Sequence, residues 1–205
     1  MARAVGTRER ILAAARAVML KKGLVRATTK EIARAADVSE GTLYNHFASK
    51  EQLFLAALRF QPSGFFSLMG ELPQRAGVTS VSATLAEVAW SALAFYGDAI
   101  PMGASFFADP ELLARQRELL REHGAGPQRA NEAVAAYLRD EQKRGRVRAE
   151  ADPDAVAYML LGAVYQYVYW REFLGSANKP EADESFISGL LESIDRILLP
   201  DPPPA

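Results

Sequence analysis

Between Thr28 and Phe47 the chain reads TTKEIARAADVSEGTLYNHF, and this stretch permits few folds. Thr28 followed three residues later by Glu31 is a capping box, so a helix starts there. Ile32, Ala33 and Ala36 give that helix an apolar stripe. Ser39 is a good N-cap for another helix running to about residue 47. Only Asp37, Val38 and Ser39 separate the two. Two short helices, a tight turn and a small residue at the crossing, Ala33, make a helix-turn-helix. A helix from about Thr7 to Lys22 precedes them and is stopped by Gly23 after a lysine pair. A fourth begins at Ser49, with Gln52 completing another capping box.

Helical periodicity continues to residue 199, and strand signals are nearly absent. Further helices are expected at about 49–71, 81–97, 100–122, 127–144, 153–174 and 182–198. Asp109-Pro110 and Asp152-Pro153 each place a capping acid before a proline at the first helical position. Pro62 and Gly64 should kink or split the 49–71 segment. The expected fold is all-α: a helix-turn-helix domain over 1–50, a larger helical domain over 51–199 and a disordered tail over 200–205. With 49% hydrophobic residues in 205, a sizeable core can be buried.

Charge is unevenly spread. Residues 1–59 hold 11 Lys+Arg against 5 Asp+Glu, leaving 13 against 20 in the rest. A basic N-terminal quarter on an acidic body suits an anionic partner, or a solvated basic face. No apolar run suits a secretory signal or a membrane span, so a cytoplasmic location without membrane attachment is expected.

On a helix at 100° per residue, Leu43 and Phe47 fall together and must face the core. Gly41 and Asn45 lie nearly opposite, Thr42 and Tyr44 flank them, and His46 lies nearer the buried edge. That outward face is small, hydrogen-bonding and uncharged, whereas a solvated face is more often rich in Glu and Lys. Glycine there costs about 1 kcal/mol relative to alanine, which makes sense if a groove wall approaches closely. Lys50 in the first turn of its helix opposes the helix dipole unless its target is a phosphate at that terminus. Thr28, Thr29 and Lys30 repeat the arrangement one helix earlier.

TTKEIARAADVSEGTLYNHFASKEQLF, residues 28–54, resembles the DNA-binding domain of the TetR family of transcriptional regulators, most specifically in GTLYNHF-x-SKE. The likeness covers about the first 55 residues; the rest fits by length and pattern only. Asp37 stands where the family's turn usually has glycine, and it tolerates the left-handed conformation better than most residues. The resemblance implies a homodimer on a near-palindromic double-stranded operator, released by a small molecule. By matching positions it places phosphate contacts on Thr28, Tyr44, His46 and Lys50, and base or groove contacts on Lys30, Glu40, Gly41, Thr42 and Asn45. Tyr44 and His46 also suit packing. Glu40 also suits a solvated position, since an acid repels phosphate unless it accepts from a cytosine amine. Arg3, Arg8 and Arg10 suit either a DNA-reaching arm or a solvated tail.

The body is rich in aromatic residues, and tyrosines are numerous for a plain core, because a buried hydroxyl needs a partner. A pocket for an apolar or aromatic ligand would use them, with Phe66, Met69, Trp90, Phe106, Tyr137 and Tyr165 as candidate lining. Residues 158–174, YMLLGAVYQYVYWREFL, are apolar nearly all round and must be buried on most sides. With residues 182–198 they form a candidate four-helix dimer interface using Met159, Gly162, Ala163, Tyr169, Leu190 and Ile194; burial within one chain is the alternative.

An enzyme is the first rival reading. The chain has no cysteine and two histidines, His46 and His123, neither with a metal-ligand partner at helical spacing. No phosphate loop or nucleophile motif occurs, so no catalytic residue, metal or cofactor is expected. The other rivals are a ligand-binding or adaptor protein that no longer binds DNA, and an activator rather than a repressor.

Overall fold

The computed structural model describes residues 6–60, 64–176 and 179–200. The described residues contain ten α-helices, one 3-10 helix and no strand. In chain order these are α1 (Thr7–Arg26), α2 (Thr29–Ala35), α3 (Glu40–His46), α4 (Lys50–Arg59), α5 (Phe65–Arg75) and α6 (Val81–Gly103). The 3-10 helix Ala104–Ala108 follows, then α7 (Pro110–Glu122), α8 (Gln128–Lys143), α9 (Pro153–Leu174) and α10 (Pro180–Leu198). The all-α class is as the periodicity predicts.

The chain divides into two compact units: Met1–Pro62 with Gly97–Gly126, and Ser63–Tyr96 with Pro127–Ala205. Helix α6 runs through the division, so its last turns and α7 group with the N-terminal helices. In the first unit, Ile11, Leu12, Ala15 and Met19 of α1 pack in one apolar cluster with Ile32, Leu43, Phe47, Leu53 and Phe54. Met102 and Phe106 complete it, with the Phe54 and Phe106 rings edge to face at 4.9 Å. Each such side chain contributes about 1.5–3 kcal/mol on burial. Arg16 of α1 is ion-paired with Asp98 of α6 at 2.5 Å.

In the second unit α8 and α9 pack side by side, α5 lies on α8 and α10 on α9. Glu141 near the end of α8 is fully buried. It accepts from the Gly77 amide at 3.1 Å and pairs with Arg146 at 3.4 Å. Arg146 also donates to the Thr79 carbonyl, so these bonds hold the turn between α5 and α6 against the end of α8. Helix α9 is capped by Asp152, which accepts from the Asp154 and Ala155 amides, and it ends at Gly175 in the left-handed conformation.

Several boundaries depart from the expected ones. The helix expected to end at 97 continues to Gly103 with Pro101 inside it. The helix expected over 100–122 is interrupted, because Asp109 leaves the helical conformation and accepts from the Leu112 amide to start α7 afresh. The first helix is carried past Gly23, whose φ of 72° makes a kink rather than a stop. At Ser49 only half of the expected capping box forms: Ser49 accepts from the Gln52 amide, but the Gln52 side chain accepts from Ala48 instead. The 49–71 segment is split as expected, into α4 and α5, but α5 continues to Arg75. Pro62 lies outside the described residues, as do Arg3 and residues 201–205 of the expected tail.

Asp37 closes the turn between α2 and α3 with φ +54°, the only non-glycine residue at positive φ among those described. The amides of Asp37 and Val38 bond back to the Arg34 and Ala33 carbonyls. Left-handed backbone costs most for β-branched side chains and least for glycine and asparagine. Asp37→Val should therefore lower stability by about 1–2 kcal/mol, while Asp37→Asn stays within about 0.5 kcal/mol. Urea denaturation followed by circular dichroism checks both.

Candidate nucleic-acid interface

Helix α3 is held by two buried side chains and one cap. Leu43 and Phe47 are 1% and 2% exposed. Ser39 accepts from the Thr42 amide at 3.0 Å, and the two hydroxyls are 2.9 Å apart. With that side fixed inward, Glu40, Gly41, Tyr44, Asn45 and His46 face outward and are exposed, and Thr42 is half-buried. His46 is thus more open than its angular position suggests, because the helix ends there and Phe47 turns in as the C-cap.

The start of α2 lies beside the start of α3. Thr28 caps α2 in a complete capping box with Glu31. Glu31 also pairs with Lys22 at 2.5 Å, and that bond is the largest cause holding its carboxyl below the usual glutamate range. Thr29 donates to Glu40 Oε1 at 2.9 Å and accepts from the Tyr44 hydroxyl at 3.4 Å. Lys30 is exposed next to them. A shallow depression lined by Lys30, Arg34, Asp37 and Glu40 follows the turn. The structure therefore places Thr28, Thr29, Lys30, Glu40, Gly41, Thr42, Tyr44, Asn45 and His46 along the start of α2 and the length of α3.

Lys50 is placed differently. It lies in the first turn of α4, half-buried, and its ammonium donates to the Val25 carbonyl at 3.1 Å. Burial lowers its pKa from the ordinary lysine value, with Glu51 opposing. A phosphate there would meet an ammonium already tying α4 to the end of α1, with donors to spare. Sequence periodicity carried no sign of this tie, because Val25 lies 25 residues away.

The six candidate ligand residues are not brought to one place. Phe106 belongs to the core of the first unit, and Tyr137 is 1% exposed on α8, its pKa pushed up to about 12 mainly by burial. Met69 is half-buried, and Trp90 is exposed on α6. Phe66 and Tyr165 do share a feature, a run of touching rings. Centroids are 5.1 Å apart for Phe66–Phe95, 5.4 Å for Phe95–Tyr96 and 5.4 Å for Tyr96–Tyr165. Tyr169 and Phe173 extend the run along α9. Phe95 and Tyr96 are its connectors, and sequence reading left both out of the site. Burial pushes the Tyr96 pKa up to about 12.

Of the candidate interface residues, Met159, Gly162 and Tyr169 are exposed on one face of α9, and Ala163 is half-buried. Leu190 is half-buried on α10. Ile194 is buried within its own chain at 2% exposure, so it cannot meet a second copy. The expectation that residues 158–174 are covered on most sides also needs correction. Tyr158, Trp170 and Phe173 are 64%, 57% and 74% exposed, because the rest of the chain covers only one face of α9. Among the described residues no group of three or more His, Cys, Asp or Glu could hold a metal ion, and no helix is long and apolar enough to cross a membrane.

Two family models match the chain. One, described as bacterial regulatory proteins of the tetR family, covers residues 11–57. The other, described as the C-terminal domain of AefR-like transcriptional repressors, covers residues 109–186. The HTH-type transcriptional regulator UidR of Escherichia coli strain K12 is 27% identical over 193 residues, 94% of this chain and 93% of UidR. Among solved structures, Salmonella enterica GusR is similar with a TM-score of 0.68 at 23% identity, covering 94% of this chain and 95% of GusR. Escherichia coli NemR gives a TM-score of 0.69 at 17% identity, covering 96% and 100%. Both share the fold.

Gly41 separates the needs of the fold from those of a partner. A Cβ there would meet only Ser39 Oγ, at 3.7 Å, so the protein has room for alanine. Gly41→Ala should stabilise the protein by about 0.5–1 kcal/mol, because glycine is the poorer helix former. It should at the same time weaken binding to duplex DNA by at least a few fold. Thermal melting and fluorescence anisotropy on a labelled duplex measure the two; a gain in stability with unchanged affinity would show that nothing approaches Gly41 closely.

Proposed function

The chain belongs to the TetR family of transcriptional regulators, and from that premise we propose that it is a repressor that binds a near-palindromic operator as a homodimer and leaves it when a small apolar or aromatic molecule binds. Family membership makes the protein a ligand-responsive, DNA-binding regulator and not an enzyme. The observation that carries the finer reading is the exposed face of α3. Its residues are small, neutral hydrogen-bonding groups suited to base edges, flanked by hydroxyls and cations suited to phosphate. The description of the C-terminal family model as that of a repressor supports repression over activation.

The exposed face of α9 supports the dimer. Tyr158, Met159, Tyr165, Tyr169, Trp170 and Phe173 leave apolar surface open on one long helix, and such a patch marks an interaction site. Gly162 sits among them with nothing within 4 Å of an added Cβ, which lets another helix approach. A two-fold pair would offer its recognition helices to half-sites about 34–36 Å apart, or a multiple of one helical turn.

The aromatic run from Phe66 to Tyr165 supports an apolar or aromatic ligand in the second unit. Helix α6 supplies Phe95 and Tyr96 to that run, and within the next two turns it supplies Asp98 to the Arg16 ion pair and Met102 to the first unit's core. A ligand acts on DNA binding only by binding one arrangement of α6 more tightly than another. Pro62, expected from sequence to kink or split the 49–71 segment, lies outside the described residues.

A gel shift of the purified protein on the DNA flanking its own gene tests the reading directly. A retarded band should form and be lost on adding an inducing aromatic compound. Asn45→Ala should cost about 1–3 kcal/mol on the operator and little on random DNA, since a base contact is lost; equal losses on both would show that Asn45 reads no base. Gly162→Asp leaves the chain room to fold and should yield monomers with lost operator binding. A wild-type monomer in ultracentrifugation at micromolar concentration would refute the dimer.

A further inference from the structure

Thr29, Glu40 and Tyr44 form a chain of two hydrogen bonds on the exposed side of α2 and α3. Thr29 has one hydroxyl proton, and it goes to Glu40 Oε1 at 2.9 Å. The oxygen of that hydroxyl accepts from Tyr44 at 3.4 Å. The Thr29 hydroxyl therefore has no proton left for a phosphate oxygen. What it does is hold a carboxylate on the outer side of α3, one residue before Gly41, where the helix is thinnest. Oε2 of Glu40 accepts no hydrogen bond from the described residues. The favourable dipole at the start of α3 accounts for an acid at that position. It does not account for a threonine on another helix fixing the acid in one direction.

A carboxylate there is repelled by every phosphate, so it is tolerated only where it meets a donor. In the major groove the base edges differ sharply. Guanine offers two acceptors, and thymine an acceptor and a methyl group. Adenine offers an amine beside the N7 acceptor, which repels a carboxylate. Cytosine alone offers an amine with no acceptor next to it on its own edge. We propose that Glu40, aimed by Thr29, reads the amine of one cytosine in each half-site, and that Thr29 is a positioning residue rather than a phosphate contact. This rests on the reading of the protein as an operator-binding regulator and adds which base it selects and how.

The test is selection from a pool of duplexes with a randomised core, run with the parent and with Glu40→Gln, Thr29→Val and Thr29→Ser. The parent should enrich a motif with an invariant cytosine in each half-site. Glu40→Gln should exchange that base for adenine, because an amide pairs with both N6 and N7. Thr29→Val should reduce the cytosine preference about tenfold, a typical loss for one base contact. Thr29→Ser, which keeps the hydroxyl, should restore it. The salt slope on random duplex should be the same for Thr29→Val as for the parent. A slope lower by about 0.9, with the cytosine preference kept, would make Thr29 a phosphate contact and overturn the proposal. Retention of cytosine by Glu40→Gln would also overturn it, while leaving the regulator reading intact. If the parent enriches no motif, the regulator reading fails first and this proposal with it.

Discussion

The exposed face of α3 depends on two side chains pointing the other way. Leu43 and Phe47 are buried in a cluster supplied by α1, α2, α4 and the end of α6. Helix α3 is only seven residues long and would be marginal in isolation. Its direction comes from that burial and from the Ser39 cap, not from its own propensity. Everything on the opposite side, from Glu40 to Asn45, is presented because those two residues are anchored. The same burial explains why Asp37 is held in a strained turn: the amides on either side are bonded to α2, and relaxing the turn would pull Leu43 out.

Much of this was legible in the sequence because it is local. Capping boxes, a three-residue turn and an i, i+4 apolar pair are spaced within one or two helical turns, and Thr28, Ser39, Leu43 and Phe47 behave as that spacing requires. The departures are tertiary. Lys50 bonds to a carbonyl 25 residues away, and Phe106 fills the first unit rather than a pocket in the second. Ile194 shares its periodicity with Leu190, yet only Ile194 faces inward. Periodicity says that a residue is on an apolar face; it does not say which neighbour covers that face. The interrupted 100–122 segment is different, since Asp109-Pro110 carried the signal and the cap outcompeted helical continuity.

Buried charge shows how the fold and the site divide their demands. Glu141 is fully buried and tied to Gly77 and Arg146, so its cost of desolvation is offset by bonds that fix a turn. Lys50 is half-buried at the interface and its charge is disfavoured there. Its ammonium is bonded to the Val25 carbonyl, which ties α4 to the end of α1. The first arrangement fixes a turn of the second unit; the second joins two helices of the first unit.

The helix that spans the two units sharpens what a ligand must do. Helix α6 carries aromatic side chains in the second unit and an ion pair and core methionine in the first. Continuity alone gives no switch. A ligand shifts the equilibrium only by the difference between its affinities for two arrangements of α6, and a shift from almost all bound to almost all released needs about 5.5 kcal/mol of such difference. Rings in edge-to-face and tilted contact are well suited to supply it. Each aromatic pair is worth about 0.5–1.5 kcal/mol beyond its buried area and depends on ring angle, so a planar guest inserted into the run would exchange several contacts at once. A guest that lay on the run without parting it would bind and leave the DNA-binding helices unmoved.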